Sequence, residues 1–168
     1  TQQGRARRPH LTTGNELLGT GRFTAPPERD FKYQQGYLCG VIRGDGRLAS
    51  YTYHGRRRAN EVQHQFRLAL IDLEALQRAR RYLLTFDIPT HEFLFQRAAV
   101  GYQPVHALRT SARRHVERVG ELVRWPLAPS INWRNGFLAG IFDAEGSYSR
   151  GILRIANTSS SLITCITD

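Results

Sequence analysis

The sequence predicts an α+β protein in which one αββαββα unit is followed by the start of a second. Three observations predict it: helical and strand-like patterns alternate in that order between Tyr33 and Val123, a proline-bearing stretch then interrupts them, and the opening segment of the first unit returns after the interruption. With 168 residues, the chain can enclose one domain core and only part of another.

Residues 1–30 are rich in Arg, Gly, Pro and Thr and hold only Leu11, Leu17 and Leu18 as aliphatic residues, so 1–32 reads as an arm or linker. Residues 33–42 have a helical pattern that closes at Gly44, Asp45 and Gly46, a glycine stop. Residues 47–54 and 60–70, rich in Tyr, Thr, Val and Phe with turn chemistry around Gly55, predict a hairpin. In its second strand Glu61, Gln63, Gln65 and Arg67 alternate with Val62, His64, Phe66 and Leu68, one wet face and one buried. Asp72 is placed to cap a helix carrying Leu73, Leu76, Ala79, Arg80, Leu83 and Leu84, ending before Pro89. Strands are expected over 91–99 and 105–110, on either side of Gly101 and Pro104, and a basic helix over 111–123. The first unit thus occupies 33–124 and a linker with Pro126, Pro129 and Ser130 occupies 125–132. The second begins at 133; after a strand near 152–157 and a helix starting near Ser159, a complete unit would need two more strands.

The net charge is +10 with a pI near 10.6, and almost all of the positive charge is arginine, because Lys32 is the only lysine. That balance favours a polyanionic partner, and the planar guanidinium fork suits phosphate oxygens and guanine edges. An Arg-rich solvated surface is the alternative reading of composition alone. Cys39 and Cys165 provide neither a disulfide framework nor a CxxC metal site. There is no run of about 18 apolar residues and no signal-peptide core. We therefore expect a soluble cytoplasmic protein.

The chemistry lies in the repeat. Residues 36–46, Gly-Tyr-Leu-Cys-Gly-Val-Ile-Arg-Gly-Asp-Gly, return at 136–146 as Gly-Phe-Leu-Ala-Gly-Ile-Phe-Asp-Ala-Glu-Gly. Gly36 with Gly40, and Gly136 with Gly140, are four residues apart and so share one face of each helix. A mid-helix glycine costs about 1 kcal/mol relative to alanine, and close packing of the two helices on each other is the natural compensation. Packed in that way, the helices would bring Asp45 and Glu145 together at one end of their interface. Two converging carboxylates beside a basic surface are what a hard divalent cation needs in order to bind and to bridge to phosphate.

These segments resemble the two LAGLIDADG motifs of double-motif homing endonucleases, with 38–46 and 138–146 as the motif cores. The second core, Leu-Ala-Gly-Ile-Phe-Asp-Ala-Glu-Gly, is the nearer match; in the first, Arg43 stands where the motif usually carries an acid, supplied by Asp143 in the second. The resemblance implies the homing-endonuclease fold, with the motif helices as the central interface. It assigns metal binding and catalysis to Asp45 and Glu145, and we count Gly44 and Ala144, immediately before the acids, in the metal set. It further implies a saddle of strands over double-stranded DNA with a long recognition site. Gln63, Gln65 and Arg67 are then expected to read bases, with Arg47, Tyr51 and Arg97 as secondary candidates.

The expected reaction is Mg2+-dependent hydrolysis of both DNA strands, one acid coming from each half. We expect a full-length form to act as a monomer and a chain with a shortened second half to be able to self-associate. His54, His64, His91, His106 and His115 show no ligand spacing and are read as structural or surface groups. Residues 8–21 and the following Pro26-Pro27 resemble the segment joining an intein's splicing domain to its endonuclease. The competing reading is a LAGLIDADG-like regulator or maturase that binds DNA or RNA without cutting; intact acids in both motifs weigh against it.

Overall fold

Residues 26–53 and 61–167 are described by the computed structural model. Residues 1–25, with the segment that resembles an intein junction, lie outside the described residues, as do His54 and the turn around Gly55.

The elements run α1 (Phe31–Asp45), β1 (Gly46–Tyr53), β2 (Glu61–Leu70), α2 (Leu73–Thr85), β3 (His91–Gln96), β4 (Val105–Thr110), α3 (Arg113–Leu122), α4 (Ile131–Glu145), β5 (Gly146–Ser149), β6 (Ile152–Ile155) and α5 (Ser160–Thr167). β1–β4 form one antiparallel sheet in the order β1-β2-β4-β3, and β5 pairs with β6.

Local chemistry accounts for most of the boundaries. α1 begins two residues before the helical pattern becomes visible in the sequence, because the Asp30 carboxylate accepts from the Tyr33 amide at 2.8 Å. Phe31 and Lys32 therefore belong to the helix and not to the arm. Ser130 caps α4 in the same way through the Trp133 amide at 3.2 Å. Asp72 caps α2 as expected, accepting from Glu74 and Ala75.

The glycine stop after α1 is present but is not a left-handed cap. Gly46 has φ −83° and ψ 150°, and the chain passes from helix straight into strand. Its missing side chain matters because a Cβ would lie 2.6 Å from Ile42 Cγ2 and closer still to the Ile42 carbonyl. β3 stops at Gln96 instead of reaching residue 99, since Gln96 already pairs with Val105, the first residue of β4. β6 similarly stops at Ile155 and not at 157.

The larger core lies between the four-stranded sheet and α1, α2 and α3. Phe66, Leu68, Leu70 and Leu108 of the sheet meet Leu38, Val41 and Ile42 of α1, Leu76, Ala79 and Leu83 of α2, and Val116, Val119 and Leu122 of α3. The alternation expected in β2 holds from Phe66 onward, whereas Val62, near the far end of the strand, is exposed. A smaller core joins Cys39 of α1 to Trp133, Phe137 and Ile141 of α4 and Leu162 of α5. With helices on one face of the sheet, its other face is open to a ligand.

Candidate metal centre and nucleic-acid interface

α1 and α4 pack along their glycines. A Cβ on Gly36 would lie 2.9 Å from the Phe137 amide nitrogen, and one on Gly40 would lie 2.6 Å from that of Ile141. Reciprocally, a Cβ on Gly136 or Gly140 would lie 3.0 Å from the Cα of Tyr33 or Tyr37 and nearer still to their carbonyls. Backbone meets backbone where a side chain would otherwise stand, so all four glycines are there for close approach. The reciprocity, residue 36 on 133 and residue 136 on 33, is the signature of an approximate twofold axis between the helices.

That seam fixes where the helices end. A Cβ on Gly44 would stand 2.5 Å from the Ala144 Cβ and 3.2 Å from the Glu145 Cγ, so the last turns of α1 and α4 lie side by side. The expected convergence of Asp45 and Glu145 is therefore present. Burial, and then the negative charge of Glu145, push the Asp45 carboxyl above its ordinary value. The Asn157 side-chain amide donates to Glu145 Oε1 at 3.0 Å and orients it.

Two carboxylates at two helix C-termini, where the helix dipoles add negative potential, form a donor set suited to a hard divalent ion. Among the described residues no group of three or more His, Cys, Asp or Glu side chains converges. A Mg2+-type site, which takes one or two carboxylates and completes its shell with waters and substrate phosphate, fits that pair. Gly44 and Ala144, the residues before the two acids, face each other across the seam.

The seam is locked by a network with no local signal in the sequence. Asp143 accepts from the Tyr37 hydroxyl at 2.6 Å and from Arg78 Nη1 at 2.7 Å, tying α4 to α1 and α2. Arg78 also pairs with Glu74 and lies over the Tyr37 ring. Burial and the hydrogen bond to Asp143 push the Tyr37 hydroxyl far above its ordinary value, so it stays a donor. Arg43, at the position matching Asp143, instead donates to the Val123 carbonyl at 2.9 Å and stacks on Trp125.

No protein-family model matches the chain, and no curated protein matches it. Solved structures do match. A crystal structure of I-DmoI in complex with DNA and Mn superposes with a TM-score of 0.60 at 16% identity, over 82% of this chain and 75% of that one. Mesophilic variants of the homing endonuclease I-DmoI give 0.62 at 18% identity, over 81% and 74%. The complex of I-DmoI with DNA and Ca gives 0.61 at 20% identity, over 81% and 69%. This chain has the LAGLIDADG homing endonuclease fold. At such identities the likeness establishes the fold, and the site must be argued from this chain's own residues.

The open face of the sheet is the surface on which the expected base-reading residues would stand, and the register shows what it carries. Gln63, Gln65 and Arg67 of β2 face away from the buried Phe66 and Leu68. Opposite them on β1 stand Tyr51, Ala49 and Arg47 respectively. Arg47 and Tyr51, whose facing the sequence left open, therefore join the same surface, linked by a 2.7 Å hydrogen bond. Arg97 lies one residue past the end of β3, exposed and outside the sheet pairing.

Sequence reasoning missed Arg109 and His91. Arg109 of β4 is directly opposite Arg67, and His91 of β3 is directly opposite Arg109, so Arg47, Arg67, Arg109 and His91 form one row across four strands. Among the described residues the other histidines have local partners: His64 with Ser50, His106 with Glu92, and His115 with Thr110 and Arg114.

Proposed function

We propose that this protein is a homing endonuclease that makes a metal-dependent, site-specific double-strand break in DNA. The observation that carries the reading is the reciprocal glycine seam, which sets one carboxylate from each half, Asp45 and Glu145, at the adjoining ends of α1 and α4. The basic row on the open face of the sheet gives the same molecule a surface suited to a duplex.

Asp45 and Glu145 would hold the cation, with the Gly44 and Ala144 backbone beside them. A divalent ion there supplies an activated water and neutralises charge on the leaving oxygen. Asn157 holds Glu145 in place, and the network of Asp143, Tyr37 and Arg78 holds the helix ends in register. Gln63, Gln65 and Arg67 read base edges, Arg to guanine and Gln to adenine, while Arg47 and Tyr51 flank them.

Structures of I-DmoI are described with Mn, with Ca and with Mg. Mg2+ is our choice for this chain, because a two-carboxylate set suits it. We further propose a long recognition site, action as a monomer by the full-length form, a cytoplasmic setting and an intein as the source. The intein assignment rests on residues 8–21 and Pro26-Pro27.

The test is cleavage of supercoiled plasmid and of a randomised duplex library in Mg2+, beside Asp45→Asn and Glu145→Gln. Metal-dependent double-strand cuts that vanish in both variants are the expected result. Tight DNA binding without cleavage in any divalent metal would replace this reading with a non-cleaving regulator or maturase.

A further inference from the structure

Two arginines at the centre of the open sheet face are held in an unusual way. Arg67 on β2 and Arg109 on β4 are directly opposite one another, and Arg47 on β1 is directly opposite Arg67. Like charges facing across strands are destabilising, and none of the three forms an ion pair with a carboxylate among the described residues. Each of the central two instead lies on a phenylalanine of β3. The Arg67 guanidinium carbon is 4.3 Å from the Phe95 ring centre, and that of Arg109 is 4.9 Å from the Phe93 ring centre.

β3 is not a neighbour of β2, so Arg67 must reach across β4 to find Phe95. The row beside the arginines makes this feasible, because it pairs Ala69, Ala107 and Phe93, two of them too short to stand in the way. Ala107 faces the same side as Arg67 and is nonetheless fully buried, which its taller neighbours on that face explain. Phe93 and Phe95 also meet edge to face, with ring centres 6.3 Å apart, so the two platforms brace each other.

We propose that Phe93 and Phe95 are positioning residues that hold Arg109 and Arg67 as a paired reading head for two guanines in the major groove. This rests on the DNA-cleaving reading above and assigns it a specificity element. A guanidinium that only neutralises phosphate gains little from a fixed plane, because a mobile side chain finds a phosphate oxygen from many directions. A bidentate contact to guanine O6 and N7 needs both N–H groups in one plane at a set angle, and a ring beneath the guanidinium restricts that plane before DNA arrives. The cleft beside Arg109, lined by Gln65, His91 and Thr110, leaves room for the base edges.

The experiment selects bound duplexes from a randomised library in Ca2+ and compares the wild type with Phe93→Leu, Phe95→Leu, Arg67→Lys and Arg109→Lys. Lysine keeps the charge and loses the fork, and leucine keeps an apolar residue and loses the platform. The wild type is expected to select guanine at two positions. Arg109→Lys and Phe93→Leu should erase the preference at one of them, and Arg67→Lys and Phe95→Leu at the other. Each loss should be roughly ten- to hundredfold in discrimination, the worth of one bidentate base contact, with the dependence of affinity on salt unchanged. Unchanged base preferences in the leucine variants overturn the positioning role, and unchanged preferences in the lysine variants overturn the reading head. Failure of the wild type to bind any duplex would instead sink the nuclease reading itself.

Discussion

The two halves of this molecule share the order helix, strand, strand, helix, but only the first helix is closely alike in both. α1 and α4 are each 15 residues long, each is capped by a short polar side chain, Asp30 or Ser130, and each ends at a glycine with nearly the same backbone angles. Away from the seam they diverge. Leu38 is fully buried under the four-stranded sheet, while Leu138, its counterpart, is 40% exposed. Tyr148, Ile152 and Leu153 around the β5-β6 pair are exposed too, whereas Phe66 and Leu68 in the first sheet are fully buried. The seam is symmetric, and the two sides of it differ in how far the described strands cover the residues next to it.

The difference is sharpest one residue before the metal set. Asp143 crosses the seam to Tyr37 and Arg78, whereas Arg43 turns to the Val123 carbonyl and Trp125 on the segment leading to α4. Asp143 thus ties the second half to the first, whereas Arg43 ties α1 to the end of its own half and to the linker.

The largest effect is expected from breaking the symmetric part. Gly140→Ala or Gly36→Ala places a methyl against the facing backbone, which has no side chain to move aside. Each should cost about 3 kcal/mol or more, measured by urea denaturation. Gly101→Ala, at φ +81° with open space around it, should cost only about 1–2 kcal/mol from backbone strain.

The asymmetric grips come next. Asp143→Ala strands Arg78 and the Tyr37 hydroxyl and should cost about 2 kcal/mol. Arg43→Ala loses one hydrogen bond and one ring contact, for about 1 kcal/mol. Equal losses would show that the network across the seam is worth no more than the contacts Arg43 makes within its own half and with the linker.

The smallest effect is the pH dependence, and the two ends of α1 should differ in sign. The Tyr33 amide and Asn132 hold the Asp30 carboxyl below its ordinary value. Its contribution is therefore present above the unfolded value and lost as pH falls through the lower folded one. Asp45 is raised, so its contribution is greatest below the unfolded value and is lost as pH rises through the higher folded one. Without metal, Asp45→Asn should slightly raise the Tm at neutral pH. A fall in Tm would mean that Asp45 has a favourable partner other than a metal ion.

Much of this was legible in the sequence, for reasons that are local. The motif glycines, the Asp72 cap, β4 and the hairpin are short-range patterns, and the repeat itself disclosed the seam. Arg109, Phe93 and Phe95 were not legible, because their common face is set by strand register and by the irregularity between Leu94 and Gln96. Arg97 lies just past the end of β3, outside the pairing. Tyr37 and Asp143 are 106 residues apart, and only the folded seam brings them together. An aspartate three residues before Tyr33 was a cap signal open to notice, hidden by the proline and arginine around it.

The most direct test of the central claim, that the seam builds one metal site from two halves, is a Mn2+ titration followed by electron paramagnetic resonance. It would compare the wild type, Asp45→Asn and Glu145→Gln at neutral pH in the presence of duplex DNA. The account predicts that either single substitution removes most of the binding, since each half supplies one carboxylate. Undiminished binding in both variants would contradict it and move the metal away from the seam.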